Sequence, residues 1–178
     1  MCIRDRFWIG LGLGYGSADR SCDRAACQQD RVGSITGFLK LGGTLNPRVL
    51  AGVEGNVWSK KEEGVSNLLG NLTATATFYP FVSSGLFVKG GVGLSYASRE
   101  TRTGTRLHLP VDATIKISSV GAGVLAALGY DLRVAQNISI TPTVTYYYGA
   151  TGTVEVEGVA VPGTSHNVLD FALGLTFH

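Results

Sequence analysis

The sequence predicts an all-β protein, an eight-stranded antiparallel up-and-down transmembrane β-barrel, and three observations support this fold class. Glycine makes up 25 of the 178 residues, about twice its usual share, and interior glycines disfavour helices. Hydrophobic residues account for 44% and charged residues for only 16%, yet no uninterrupted apolar run reaches the roughly 18 residues of a membrane-spanning helix. Apolar residues instead recur at every second position, which is the period of a β-strand.

The charge and length of the chain exclude other classes. Fifteen Lys and Arg against 13 Asp and Glu give a net charge of +2, which does not favour a polyanion such as nucleic acid as the partner. The apolar content is too high for a disordered chain. We expect a single barrel domain over residues 7–178, because a chain of this length holds one domain.

The first four predicted strands cover residues 7–15, 34–45, 49–58 and 67–79. In each of them an apolar residue alternates with a small, polar or charged one. A turn at Asn46 and Pro47 separates the second strand from the third, since both residue types favour turns. The shared apolar face comprises Phe7, Ile9, Leu11, Leu13, Tyr15, Ile35, Leu39, Leu41, Leu45, Val49, Ala51, Val53, Val57, Leu72, Ala74, Ala76 and Phe78.

The other four strands are predicted at residues 86–96, 120–130, 138–148 and 169–177. Their length of about ten residues suits a tilted strand that crosses a bilayer. Long polar connections at residues 17–31, 59–66, 99–116 and 149–166 alternate with short turns at residues 46–48, 80–85 and 131–136. This alternation is typical of outer-membrane barrels and predicts that both termini lie at the short-turn, periplasmic end.

The two faces of the strands predict which side meets lipid. One face of all eight strands carries no charged or amide side chain, and the opposite face is mostly Gly, Ala, Ser and Thr. Small residues suit a narrow barrel interior, so the apolar face is expected to point outward into lipid. Two aromatic girdles are predicted at the membrane interfaces, formed by Tyr15, Tyr96, Tyr146 and Tyr148 near the long loops and by Phe7, Phe78, Tyr130 and Phe177 near the short turns.

Three charged residues are predicted to point into the barrel. The turn at residues 46–48 brings Lys40 and Glu54 opposite each other on adjacent strands, and Lys89 shares their inward face. An unpaired charge in a narrow interior is costly. We therefore expect Lys40 and Glu54 to form an interior ion pair that Lys89 joins, with trapped water around these groups as the alternative.

The final residues, Leu173-Gly174-Leu175-Thr176-Phe177-His178, resemble the C-terminal assembly signal of the eight-stranded outer-membrane β-barrel family, which includes porin-family, OmpA-like and opacity-like proteins. The resemblance extends over residues 7–178. It implies a bacterial outer-membrane location, outer-membrane lipid as the surroundings, and recognition of Leu173, Leu175 and Phe177 by the barrel-assembly machinery. The penultimate rather than terminal aromatic is a departure from the family pattern.

The resemblance says little about function, because small barrels of one shape serve many roles. An integral barrel whose loops do any recognising is expected to have a structural, adhesive or envelope-stabilising role, with a possible surface ligand bound by the long loops. The resemblance also implies a secretory signal, whereas Met1 to Arg6 contain no apolar segment. We expect that residues 1–6 belong to a truncated or chimeric N-terminus that stands in place of a secretory signal. An oxidising cell-surface location favours a disulfide between Cys22 and Cys27, with two free thiols as the alternative.

Other functions have weaker support in the sequence. The glycines at 10, 12, 14 and 16 lack the spacing of a nucleotide-binding loop, and no cofactor or metal site is predicted. Ser165, His166 and Asp170 suggest a lipid A-modifying enzyme as an alternative, although closeness in sequence does not give a triad geometry. A soluble lipocalin-like carrier is a second alternative. An open diffusion porin is excluded, because it needs about sixteen strands.

Overall fold

A computed structural model of the chain describes residues 7–22, 29–62, 65–81, 83–103, 113–151, 154–156, 159–161 and 164–178. The described residues contain no helix that is long and apolar enough to cross a membrane. They form eleven strands, which are β1 (Phe7–Cys22), β2 (Gln29–Asn46), β3 (Val49–Glu62), β4 (Val65–Phe78), β5 (Leu86–Thr103), β6 (Ala113–Tyr130), β7 (Leu132–Ala135), β8 (Ile138–Thr151), β9 (Val154–Val156), β10 (Val159–Val161) and β11 (Thr164–Phe177).

Eight of these strands form one closed antiparallel barrel, which confirms the predicted fold class. Each strand from β1 to β5 pairs with the next one along the chain, β6 pairs with β8, and β8 pairs with β11. The barrel closes between β11 and β1, where Leu11 lies opposite Leu175 and Leu13 opposite Leu173. Closure gives the first and last strands a partner on both sides and so removes the free sheet edge.

The barrel strands are longer than predicted. They contain 14 to 18 residues, and β5 and β6 remain paired as far as Thr103 and Ala113, inside the connection predicted at residues 99–116. The prediction ended each strand where the apolar alternation ended. Apolar alternation marks only the part of a strand that contacts an apolar environment. The backbone hydrogen bonds of a hairpin continue through polar residues, so the strands extend further than the alternation does.

A short strand, β7, occupies the turn predicted at residues 131–136. It continues β6 in the same register against β8, with Leu132 opposite Ile140. The β6–β8 pairing is interrupted between the two strands, at the level of Pro142. Proline has no backbone N–H and cannot donate to the ladder. On the side that faces β5, the N–H of Asp131 donates to the carbonyl oxygen of Gly85 at 2.9 Å, one residue beyond the pair Leu86 and Tyr130.

The interior is occupied by side chains in three layers. An apolar cluster at the short-turn end comprises Trp8, Leu50, Tyr79 and Phe87. A second apolar cluster, at the long-loop end, comprises Ala18, Trp58, Leu69, Leu125, Tyr147 and Val168. The layer between them contains buried threonines and the charged side chains of Lys40, Glu54, Lys89 and Asp170.

Candidate functional site

The outer surface of the barrel is an apolar belt. Exposed large apolar side chains occur on every strand of the barrel, and Leu13, Ile35 and Val92 are 66–70% exposed. Inward neighbours such as Trp8 and Leu125 are 4% exposed. A soluble sheet buries its apolar face, so this arrangement is the reverse of the one expected in water. The predicted inward and outward faces both agree with the described strands.

The eight aromatic residues predicted for the girdles all lie at outward positions. Seven are between 39% and 62% exposed, and Tyr96 is partly buried on the same face. The outward positions follow from the strand alternation. The role of these rings at a membrane interface stays a prediction.

Glu54 forms its ion pair with Lys89 and not with Lys40, which corrects the predicted partner. Lys40 and Glu54 do lie directly opposite each other in the β2–β3 ladder. The Lys89 ammonium on β5, however, donates to the Glu54 carboxylate, and both side chains are almost fully buried. Register fixes backbone neighbours only. In a closed barrel a long inward side chain also reaches strands that are not adjacent to its own, and Lys89 reaches past β4 in this way.

The Lys40 ammonium is surrounded by aromatic rings. Its Nζ atom lies 5.8–5.9 Å from the ring centroids of Trp8, Phe38 and Phe87. Ring faces attract a cation, more strongly where water is excluded. The side chain passes over Gly10, where an added Cβ would lie 2.5 Å from Lys40 Cε. The aliphatic part of the Lys40 side chain therefore fits in this position only because Gly10 has no side chain.

Two carboxylates in the interior were not singled out as interior groups by the sequence. Asp170 on β11 accepts a hydrogen bond from the Thr36 hydroxyl on β2. Asp131 accepts two, from the Tyr79 hydroxyl at 2.5 Å and from the Thr141 hydroxyl at 2.7 Å. The sequence did contain a clue to Asp170, because it lies at an inward position of the last strand. A carboxylate at such a position needs a hydrogen-bond donor.

Ser165, His166 and Asp170 do not form a catalytic triad. Ser165 and His166 are consecutive on β11 and so point to opposite faces. Asp170 lies about 13 Å from His166 along the strand. The Nε2 atom of His166 is instead 3.1 Å from the hydroxyl of Ser95 on β5. Ser95 is 0% and His166 3% exposed, so this pair is closed to a substrate.

The predicted assembly signal lies on the outward face of β11, with Leu173, Leu175 and Phe177 exposed by 59%, 42% and 40%. The backbone N–H of His178 donates to the carbonyl oxygen of Asn137 at 3.0 Å. The end of β11 is therefore held against the start of β8.

The predicted disulfide involves a residue that the structure does not describe. Cys22 ends β1, whereas Cys27 lies outside the described residues, as do Met1 to Arg6. The bridge and the interpretation of the N-terminal residues stay predictions.

No protein-family model matches the chain, and no curated protein matches it. Solved structures do match it. Neisserial surface protein A is 16% identical, with 96% of each chain covered and a TM-score of 0.60. Ail, the attachment invasion locus protein of Yersinia pestis, is 13% identical, with 97% of this chain and 100% of that chain covered and the same TM-score of 0.60. This chain therefore has the fold of the eight-stranded outer-membrane β-barrels.

Proposed function

We propose that this chain is an integral outer-membrane β-barrel protein of a bacterial envelope. The observation that carries the proposal is the belt of exposed, uncharged apolar side chains on all eight barrel strands. Such a surface is favourable only in contact with lipid. A closed barrel also satisfies its own backbone hydrogen bonds, which a lipid environment requires. Outer-membrane lipid is accordingly the first partner.

The proposed topology places both termini and the short turns in the periplasm. The long connections then stand at the cell surface, where the β5–β6 hairpin extends beyond the apolar belt as far as Thr103 and Ala113. In this orientation β11 is the strand that the barrel-assembly machinery reads. Asymmetric loop lengths of this kind are typical of outer-membrane barrels.

The proposed role is structural, adhesive or envelope-stabilising. The three filled layers of the interior support a plugged barrel without a diffusion channel, because eight strands leave room for side chains only. The long surface hairpins support an adhesive role, and one protein of the same fold is called an attachment invasion locus protein. A surface ligand would therefore be bound by the hairpins and not by the interior.

The two alternative functions have less support in the geometry. A lipid A-modifying enzyme needs a nucleophile and a base that its substrate can reach, whereas Ser95 and His166 are buried and Ser165 faces away from His166. A lipocalin-like carrier holds an apolar ligand inside its barrel. The middle of this interior is polar and charged.

Cell fractionation and gel mobility test the proposal. The protein should sediment with outer membranes, require detergent for extraction, and migrate differently before and after boiling. Protease added to intact cells should cleave the long connections while the short turns remain protected. A monomer that is soluble without detergent, with long and short connections cleaved alike, would overturn the proposal.

A further inference from the structure

Asp170 is a buried carboxylate without a cationic partner. The residue is 3% exposed, and one of its oxygens accepts a hydrogen bond from Thr36. Among the described residues, no Lys, Arg or His nitrogen lies within 4.0 Å of this carboxylate. A buried carboxylate that has lost its hydration needs a compensating charge or proton.

The two buried lysines are engaged elsewhere. Lys89 is paired with Glu54. Lys40 lies opposite Gly10 of β1, whereas Asp170 lies opposite Gly16. This six-residue difference corresponds to about 20 Å along the strand.

The charge of Lys40 is balanced at its own end of the barrel. Its Nζ atom is 5.8 Å from the ring of Phe87, and that ring packs against Tyr79, with 5.6 Å between centroids. The Tyr79 hydroxyl in turn donates to Asp131. Asp131 therefore lies at the same end of the barrel as Lys40, Glu54 is paired with Lys89, and Asp170 is the interior carboxylate left over.

Hydroxyl-bearing residues of two other strands, β2 and β8, lie beside Asp170 on the inward face. Thr36 approaches from β2. Thr145 lies directly opposite Asp170 on β8 and is 2% exposed. Tyr147 stands two residues further on the same inward face, and its buried hydroxyl has no hydrogen-bond partner among the described residues. Carboxylate and hydroxyl oxygens are the hard donors that alkali and alkaline-earth cations take.

We propose that Asp170, with the hydroxyls of Thr36, Thr145 and Tyr147, forms a site for one monovalent hard cation of the sodium class inside the barrel. A single positive charge neutralises the single carboxylate, so a divalent ion would leave an excess charge in a buried layer. The ion would connect β2, β8 and β11 across the interior, next to the apolar cluster at the long-loop end. Its function would be to stabilise the closed barrel.

The test is thermal unfolding of the full chain, refolded in detergent and followed by the gel shift between folded and unfolded forms. Sodium chloride is titrated against choline chloride at constant ionic strength. A cation that binds only the folded barrel should raise the melting temperature, by about 4 °C at a sodium concentration ten times its dissociation constant.

Two variants decide the assignment. Asp170→Asn keeps the shape and the acceptor for Thr36 but removes the charge, and its melting temperature should not respond to sodium. Asp131→Asn removes another interior carboxylate and should keep the response. No response in the parent chain would overturn the proposal and assign the neutralisation of Asp170 to a proton. An equal response in parent and Asp170→Asn would overturn it in favour of a general salt effect.

Discussion

Lys40 and Glu54 face each other in the β2–β3 ladder, yet the Glu54 carboxylate is bound by Lys89 of β5. The ion pair thus links two strands that are separated by β4. Lys40 is left to the aromatic rings at the short-turn end. The pair connects β3 and β5 through the interior, in addition to the backbone hydrogen bonds between adjacent strands.

Removal of Glu54 should destabilise the barrel strongly. Glu54→Ala is expected to lower the free energy of unfolding by about 3–5 kcal/mol, because Lys89 would remain buried without its carboxylate. The double variant Glu54→Ala, Lys89→Ala should cost less than the two single changes together. Urea unfolding in lipid vesicles measures all four forms of this cycle.

The matched control for this prediction is the cycle between Glu54 and Lys40. Its coupling energy should be the smaller of the two, because Lys40 does not bind the carboxylate. Contacting charges usually couple by about 0.5–3 kcal/mol. A coupling to Lys40 that exceeds the coupling to Lys89 would contradict the structure.

An arginine on the outer belt tests contact with lipid. Val124 points outward on β6 and is 48% exposed, so Val124→Arg should cost about 2–4 kcal/mol near the bilayer midplane. Ser59→Arg, at an exposed position level with Ile35 at the long-loop end of the belt, should cost at most about 1 kcal/mol, because the penalty for arginine falls towards the membrane interfaces. Equal stability of both variants in vesicles would show that the belt does not face lipid.

The sequence predicted the barrel and its two faces, because strand alternation is encoded residue by residue. Val92 and Gly93 illustrate this, since the outward and inward positions follow directly from parity. The extent of β5 could not be predicted, because the pairing as far as Thr103 depends on the partner strand and not on an apolar pattern. The interior group of Lys40, Glu54 and Lys89 was predicted, but the choice of Lys89 over Lys40 as the partner of Glu54 was not. Barrel curvature decides which long inward side chains meet, and the sequence pattern does not encode it.

Two glycines on β5 offer a matched test of interior crowding. A Cβ at Gly93 would lie 2.1 Å from the carbonyl oxygen of Leu72 and 2.7 Å from Thr73 Cα, which are backbone atoms. Gly93→Ala should therefore lower the free energy of unfolding by about 1–3 kcal/mol. A Cβ at the outward Gly90 meets nothing within 4 Å, and Gly90→Ala should be neutral or stabilising by up to about 1 kcal/mol. The reverse order in urea unfolding would contradict the inward placement of Gly93.

A comparison of Phe177 with Phe171 distinguishes a role in assembly from a role in the stability of the last strand. Both rings point outward from β11, with exposed fractions of 40% and 61%, so truncation of either removes similar contact with lipid. Only Phe177 belongs to the proposed assembly signal. Phe177→Ala should therefore reduce the folded, heat-modifiable protein in outer membranes several-fold, whereas Phe171→Ala should leave it near the parent level.

Refolding of the purified chains in detergent supplies the control for this last prediction. No assembly machinery is present there, so Phe177→Ala and Phe171→Ala should refold with similar yields. A defect of Phe177→Ala in detergent as large as its defect in cells would assign the residue to barrel stability. Equal loss of both variants in cells would show that the aromatic ring near the C-terminus is not read as a signal, since the outward position alone would then account for the effect.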